Sequence, residues 1–256
     1  MAALHLLGTG AAFTDAWRTT TMLAFAAPEN IIAVDCGGDL YQRIQAAQLN
    51  PAHVKALFIT HEHPDHCGGF PLFMEKRWLA QLREPFHVYG PEAGLKQAKR
   101  IFDAFGMDGW KGMPEIVWHP VPLEEGAFVL EDEDWRVHAM PVSHPAPTLG
   151  LRVAYKPNGF NVTYSCDTSP DERVIRMAHR SDILVHEANL FEGSAPNVHS
   201  SIPEAASIAA QAEAERLILV HVPPGMTDAH LATARRHIFP NMDVGTELGV
   251  YPMAKG

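Results

Sequence analysis

The chain has 256 residues, 46% of them hydrophobic and 20% charged, and a formal charge of −10. That length and apolar content suffice for the core of one compact domain over residues 1–256. The acidic balance argues against extended nucleic acid as a partner, because such affinity comes mainly from Lys and Arg neutralising phosphates.

Taken in chain order, short β-branched or apolar runs alternate with helical stretches, which predicts an α/β fold. In the first half LHLL, TTTMLAF, IIAVD, KALFIT and FHVYG read as strands. In the second half FVL, WRVHAMPV, TLGLRVAY, FNVTYSC, DILVHEA and RLILVHV do so. Helices are predicted over 40–48, 70–82, 94–105, 172–180, 202–214 and 228–239. Ser201 and Glu204 have capping-box spacing, with Pro203 near the helix start where its missing N–H is harmless. KPNG (156–159) and EDED (131–134) read as hairpin turns. No apolar run approaches the roughly 18 residues needed to span a bilayer. The amino end lacks a basic leader region, so no membrane partner is expected. Cys36, Cys67 and Cys166 are widely spaced and odd in number, which fits a reducing cytoplasm rather than a disulfide framework.

FITHEHPDHCGG (58–69) concentrates metal-ligating side chains at the carboxyl end of a strand, where α/β folds place their ligands. His61 and His63 are two apart, so in extended backbone their rings project the same way. Pro64 breaks that run and sends Asp65 and His66 toward a second position nearby. The string therefore suits two adjacent cations. Two cations need further ligands, and His144, Asp167 and His221 each stand where a predicted strand stops and a turn begins. Gly68 and Gly69 let backbone pass close to the site without a Cβ. His5, His53, His87, His119, His138, His179, His230 and His237 match no motif.

THEHPDH, SH at 143–144, SCDT at 165–168, HEA at 186–188, HSS at 199–201 and LVHVPP at 219–224, with LGTGAAF near the start, together resemble the metallo-β-lactamase-fold hydrolases. The resemblance is to the branch of the tRNA 3′-processing endonucleases (tRNase Z) and smaller phosphodiesterases. It implies a four-layer αββα sandwich with His61, His63 and His144 on one metal, Asp65, His66 and His221 on the other, and Asp167 bridging. It also implies a proton-donating pair, Glu187 and His199, and a homodimer. Two departures stand out. The branch's SGDT is SCDT here, and Cys166 reads as a small buried residue rather than a ligand, because adjacent strand residues face opposite ways. Cys67 gets the same reading. The arm that clamps tRNA in that branch lies between the third-motif histidine and the bridging aspartate, but His144 and Asp167 are only 23 residues apart.

Mixed His and carboxylate ligands suit two divalent ions, zinc with manganese or iron as substitutes. A hydroxide bridging them is then the expected nucleophile, positioned by Asp65. His199 would protonate the leaving alkoxide, oriented by Glu187; the blander reading of Glu187 is a partner to a metal-bound histidine. The expected substrate is a small phosphodiester such as a cyclic nucleotide or cyclic phosphate. The alternatives are another ester (sulfate ester, lactone, thioester, β-lactam), a tRNA 3′ end, and, last, a non-catalytic binding protein on the same fold. Trp78, Trp110 and Trp118, between Phe70 and Pro120, belong to the core, to a pocket wall or to a dimer surface, and mark the first place to look for substrate specificity.

Overall fold

A computed structural model describes residues 1–255. Its first sheet is built from β1 (Ala3–Gly8), β2 (Met22–Ala27), β3 (Asn30–Val34), β4 (Val54–Phe58), β5 (Phe86–Gly90) and β6 (Ile116–Pro120). Its second holds β7 (Ala127–Glu131), β8 (Trp135–Pro141), β9 (Leu149–Tyr155), β10 (Phe160–Tyr164), β11 (Ile183–Glu187), β12 (Leu217–Val220) and β13 (Met242–Val244). The chain then returns to the first sheet as β14 (Gly249–Pro252), beside β1. Strand order is β14-β1-β2-β3-β4-β5-β6 in one sheet and β13-β12-β11-β10-β9-β8-β7 in the other.

Alternation along the strands sorts side chains into layers. Leu4, Leu6, Phe25, Phe58, Trp135, Val153 and Val185 meet in the apolar layer between the sheets. The outer face of the first sheet is covered by α1 (Leu40–Ala46), α2 (Pro64–Cys67), α3 (Phe70–Leu79) and α4 (Glu92–Asp103), packed through Leu40, Phe70, Phe73 and Leu95. The outer face of the second is covered by α5 (Glu172–Met177), α6 (Ile202–Gln211) and α7 (Ala232–His237), through Val174, Ile202, Ala205 and Leu231. The layering is therefore αββα, as the resemblance implied. Among the described residues no helix is long and apolar enough to cross a membrane.

The local chemistry follows the sequence closely. Glu204 Oε2 accepts the Ser201 backbone N–H at 2.8 Å at the start of α6. The hairpin joining β9 and β10 turns through Gly159 at a φ of +71°, in the left-handed region where a side chain is strained. Three strands escape the sequence reading: β6, β13 and β14. Each is short, each lies at or next to a sheet edge, and β6 is only half-buried along most of its length. Such strands carry little of the apolar alternation from which a strand is recognised.

Candidate metal centre and proton-donating pair

β3 and β4 run parallel and finish at the same edge, where two carboxyl-end loops meet. Asp35 follows β3 in a left-handed conformation, φ +61°, and its carboxylate accepts the Thr60 backbone N–H at 2.8 Å. The same carboxylate accepts the Nδ1 proton of His66 at 2.8 Å. With Nδ1 so engaged, His66 turns Nε2 toward Asp65 and Asp167. Asp35 is thus a functional residue that the sequence reading missed; its only signal was an acidic residue closing a strand parallel to the ligand-bearing one. Close approach of backbone helps: a Cβ on Gly37 would lie 1.7 Å from the Asp65 carbonyl oxygen, and one on Gly69 2.1 Å from that of Gly38.

From the second sheet, His144 comes after β8, Asp167 after β10 and His221 after β12. The sheets are stitched here by the Leu149 N–H donating to Thr60 O at 3.2 Å. Two ligand sets result. His61 Nε2 and His63 Nδ1 are 2.9 Å apart, and His144 Nε2 is 3.3 Å from His63 Nδ1. His144 Nδ1 donates to Val198 O at 2.9 Å, which frees its Nε2. In the second set His221 Nε2 is 3.4 Å from Asp65 Oδ2 and 3.2 Å from Asp167 Oδ2, and His66 Nε2 is 3.4 Å from each of the same oxygens. Asp167 also groups with His144 and His199, so it lies between the sets. All seven residues expected as ligands therefore converge.

The donors fit divalent cations. His66 Nε2 and Asp167 Oδ1 are buried without a hydrogen-bond partner, a costly condition for polar atoms unless something else satisfies them. Burial, with help from neighbouring imidazoles, pushes His61 well below the usual histidine range, leaving a neutral ring able to ligate. Burial would raise Asp65, but hydrogen bonds to His221 and His66 outweigh it and keep the carboxyl well below its ordinary value.

Glu187, at the end of β11, has no exposure. Its Oε1 accepts from the Thr168 backbone N–H at 2.8 Å and from His199 Nδ1 at 2.8 Å; its Oε2 accepts from Asn189 N–H at 3.1 Å. The carboxylate is thus aimed at His199. Burial opposes charge on His199, yet the Glu187 hydrogen bond and charge raise it above its ordinary value. Its ring stacks at 5.3 Å on that of His221.

Cys166 is fully buried and its Sγ lies 3.7 Å from His61 Nδ1, on the side of the ring away from His63. Its burial agrees with the sequence reading, but the reason differs. β10 ends at Tyr164 and Cys166 adopts φ +56°, so strand alternation does not apply. The conformation suits the glycine of the SGDT pattern. Cys67 is likewise buried, with burial pushing its thiol up to about 12.

A cleft of 410 Å³ opens over the ligands, walled by Ala11, Phe13, Pro145, Val198, Pro223 and Pro224. No residue of the Phe70–Pro120 segment lines it, so the tryptophans are not its specificity wall. Trp118 packs on Phe70 at 5.5 Å and Trp78 on Trp110 at 5.1 Å. The β1–β2 loop and the turn after β12 line the cleft instead, through Ala11, Phe13, Pro223 and Pro224.

Known proteins agree with this architecture. The family description "Beta-lactamase superfamily domain" matches residues 30–222. Ribonuclease Z of Methanothermobacter thermautotrophicus is 29% identical over 301 aligned positions, covering 97% of this chain and 95% of that protein. The metallo-beta-lactamase fold protein YhfI from Bacillus subtilis superposes with a TM-score of 0.82 at 18% identity, covering 98% of each chain. The short form of human tRNase Z superposes with a TM-score of 0.78 at 21% identity, covering 99% of this chain and 100% of that one.

Proposed function

Given that the chain belongs to the beta-lactamase superfamily, we propose that it is a metal-dependent hydrolase of phosphodiester bonds. What supports this reading is the Glu187–His199 pair beside two ligand sets, with Asp167 in one of them and also grouped with His144 of the other. Bound there, two divalent ions, zinc or in its place manganese or iron, would supply an activated water near neutral pH and Lewis-acid polarisation of the phosphoryl group. His61, His63 and His144 would hold one ion, Asp65, His66 and His221 the other, and Asp167 both. Asp65 offers an acceptor that orients the attacking water. His199 holds a proton at Nε2 while Nδ1 donates to Glu187, and it passes the Nε2 proton to the departing alkoxide. The departing alkoxide of a phosphodiester needs such an acid.

The substrate we propose is a small phosphodiester, cyclic or nucleotide-sized. What supports this is the connection from His144 to Asp167, which holds β9, one tight turn and β10 and no further element. The net charge of −10 points the same way. A tRNA 3′ end is the second reading, supported by the near full-length similarity to Ribonuclease Z. Metal-loaded protein should be assayed on bis(p-nitrophenyl) phosphate, a cyclic nucleotide, a precursor tRNA carrying a 3′ trailer, an aryl sulfate and a lactone. Phosphodiester turnover is expected; activity confined to the lactone or sulfate would discard the reading. A higher kcat/KM on precursor tRNA than on the small diesters would replace the first substrate with the second.

A further inference from the structure

The proposed reaction leaves unused a buried cation at the far pole of the first sheet. Arg77, near the carboxyl end of α3, is 4% exposed. Its guanidinium carbon lies 4.2 Å from the centroid of the Phe86 ring. Its one hydrogen bond is long, Nη1 donating to Val54 O at 3.4 Å, and Nε is buried with no partner. Among the described residues no carboxylate stands within ion-pair distance of it. Burial pushes the guanidinium down only to about 10, so it remains charged at neutral pH. A buried charge without a counter-ion is costly, and stacking on Phe86 offsets only part of that cost.

A cavity of 310 Å³ opens beside this side chain, lined by Arg77, Lys55 and His87, with Leu82 and Pro85 as apolar wall and Glu84 as its one carboxylate. Neither Lys55 nor Glu84 forms an ion pair among the described residues. His87 Nδ1 is 2.8 Å from His119 Nε2, and His87 Nε2 has no protein partner among the described residues. Three nitrogen-bearing side chains thus face one space from three elements: the start of β4, α3 and β5. The space is separate from the metal-ligand cleft, since β4 runs from Val54 at this end toward Thr60 at the other, a distance of roughly 20 Å for six strand steps.

We infer that this cavity is a binding site for a small phosphoryl oxyanion, inorganic phosphate or a phosphomonoester, held by Arg77, Lys55 and His87. The guanidinium fork matches two oxygens of a tetrahedral anion, Lys55 supplies a point charge at the rim, and His87 a third donor. The site takes one small anion, because a cavity of 310 Å³ has room for little more than one tetrahedral group. It stands independently of what the metal-ligand cleft hydrolyses.

The test is an NMR titration of inorganic phosphate, then glycerol phosphate, into metal-loaded protein at constant ionic strength, reading the ring C–H resonances of His87 and His144. A saturable His87 shift is expected, with affinity weakened about tenfold or more in Lys55→Ala and in Arg77→Lys. A shift confined to His144 would mean binding at the cleft alone and would overturn the inference. So would an equal His87 shift with chloride, or undiminished affinity in Lys55→Ala. Lys55 is exposed, so its variant keeps the question decidable if Arg77→Lys does not fold. Comparing the two ligands shows whether the bare anion suffices or its ester is preferred.

Discussion

The two sheets contribute to the same cleft in different ways. The first supplies His61, His63, Asp65 and His66 from six consecutive residues after β4. The second supplies His144, Asp167, Glu187, His199 and His221 from separate strand ends and a loop, across 78 residues of chain. A local motif fixes its own geometry through one turn; a distributed set depends on strand register and on the contact between sheets. The distributed half also shows more backbone strain, with both Cys166 and His221 at positive φ. Strain of this kind persists only where surrounding packing over-determines it.

The comparison can be broken first at the residue both halves share. Asp167→Ala should remove both ions and reduce turnover to background, checked by elemental analysis and assay; retained turnover would place the chemistry elsewhere. His199→Ala belongs to the distributed half alone. It should keep its metals and lose roughly 10²–10⁴ in kcat with poor leaving groups, and much less with p-nitrophenolate. An equal loss with both leaving groups would remove His199 as the acid. Asp35→Asn probes the local half through the residue that holds His66. Metal affinity should fall by roughly 10–100-fold, measured by chelator competition, with the fold retained by circular dichroism. Cys166→Gly should have the smallest effect. It relieves a left-handed conformation worth about 1–2 kcal/mol while losing a buried thiol contact, so metal content and turnover should stay within about twofold of the parent. A clear drop in metal content would make Cys166 a ligand after all.

Among the ligands, the string after β4 was easier to read than the three supplied by the second sheet. His-x-His-x-Asp-His is legible because ligand spacing within one turn is set by backbone periodicity alone. His144, Asp167 and His221 were found only because each closes an apolar run, a signal that would have meant little for any one of them. Asp35 was passed over for the converse reason: an aspartate after a strand is an ordinary turn residue until its distance to His66 is known. Trp110 and Trp118 pack against the core, the first of the places expected for them, but the segment was the wrong place to look for the cleft wall, because bulk and aromaticity say nothing about which loops overhang a cleft.

By itself the chain's order of residues determined the α/β alternation, the capping and turn chemistry, and which side chains could ligate, because these depend on neighbours a few positions away. Only the tertiary structure decided that Asp167 stands between the two ligand sets, that Glu187 faces His199, that Asp35 orients His66, and that Arg77 is buried with no acid beside it. Those relations join groups tens of residues apart, and their distances follow from parallel strands ending at one edge and from two sheets packing face to face.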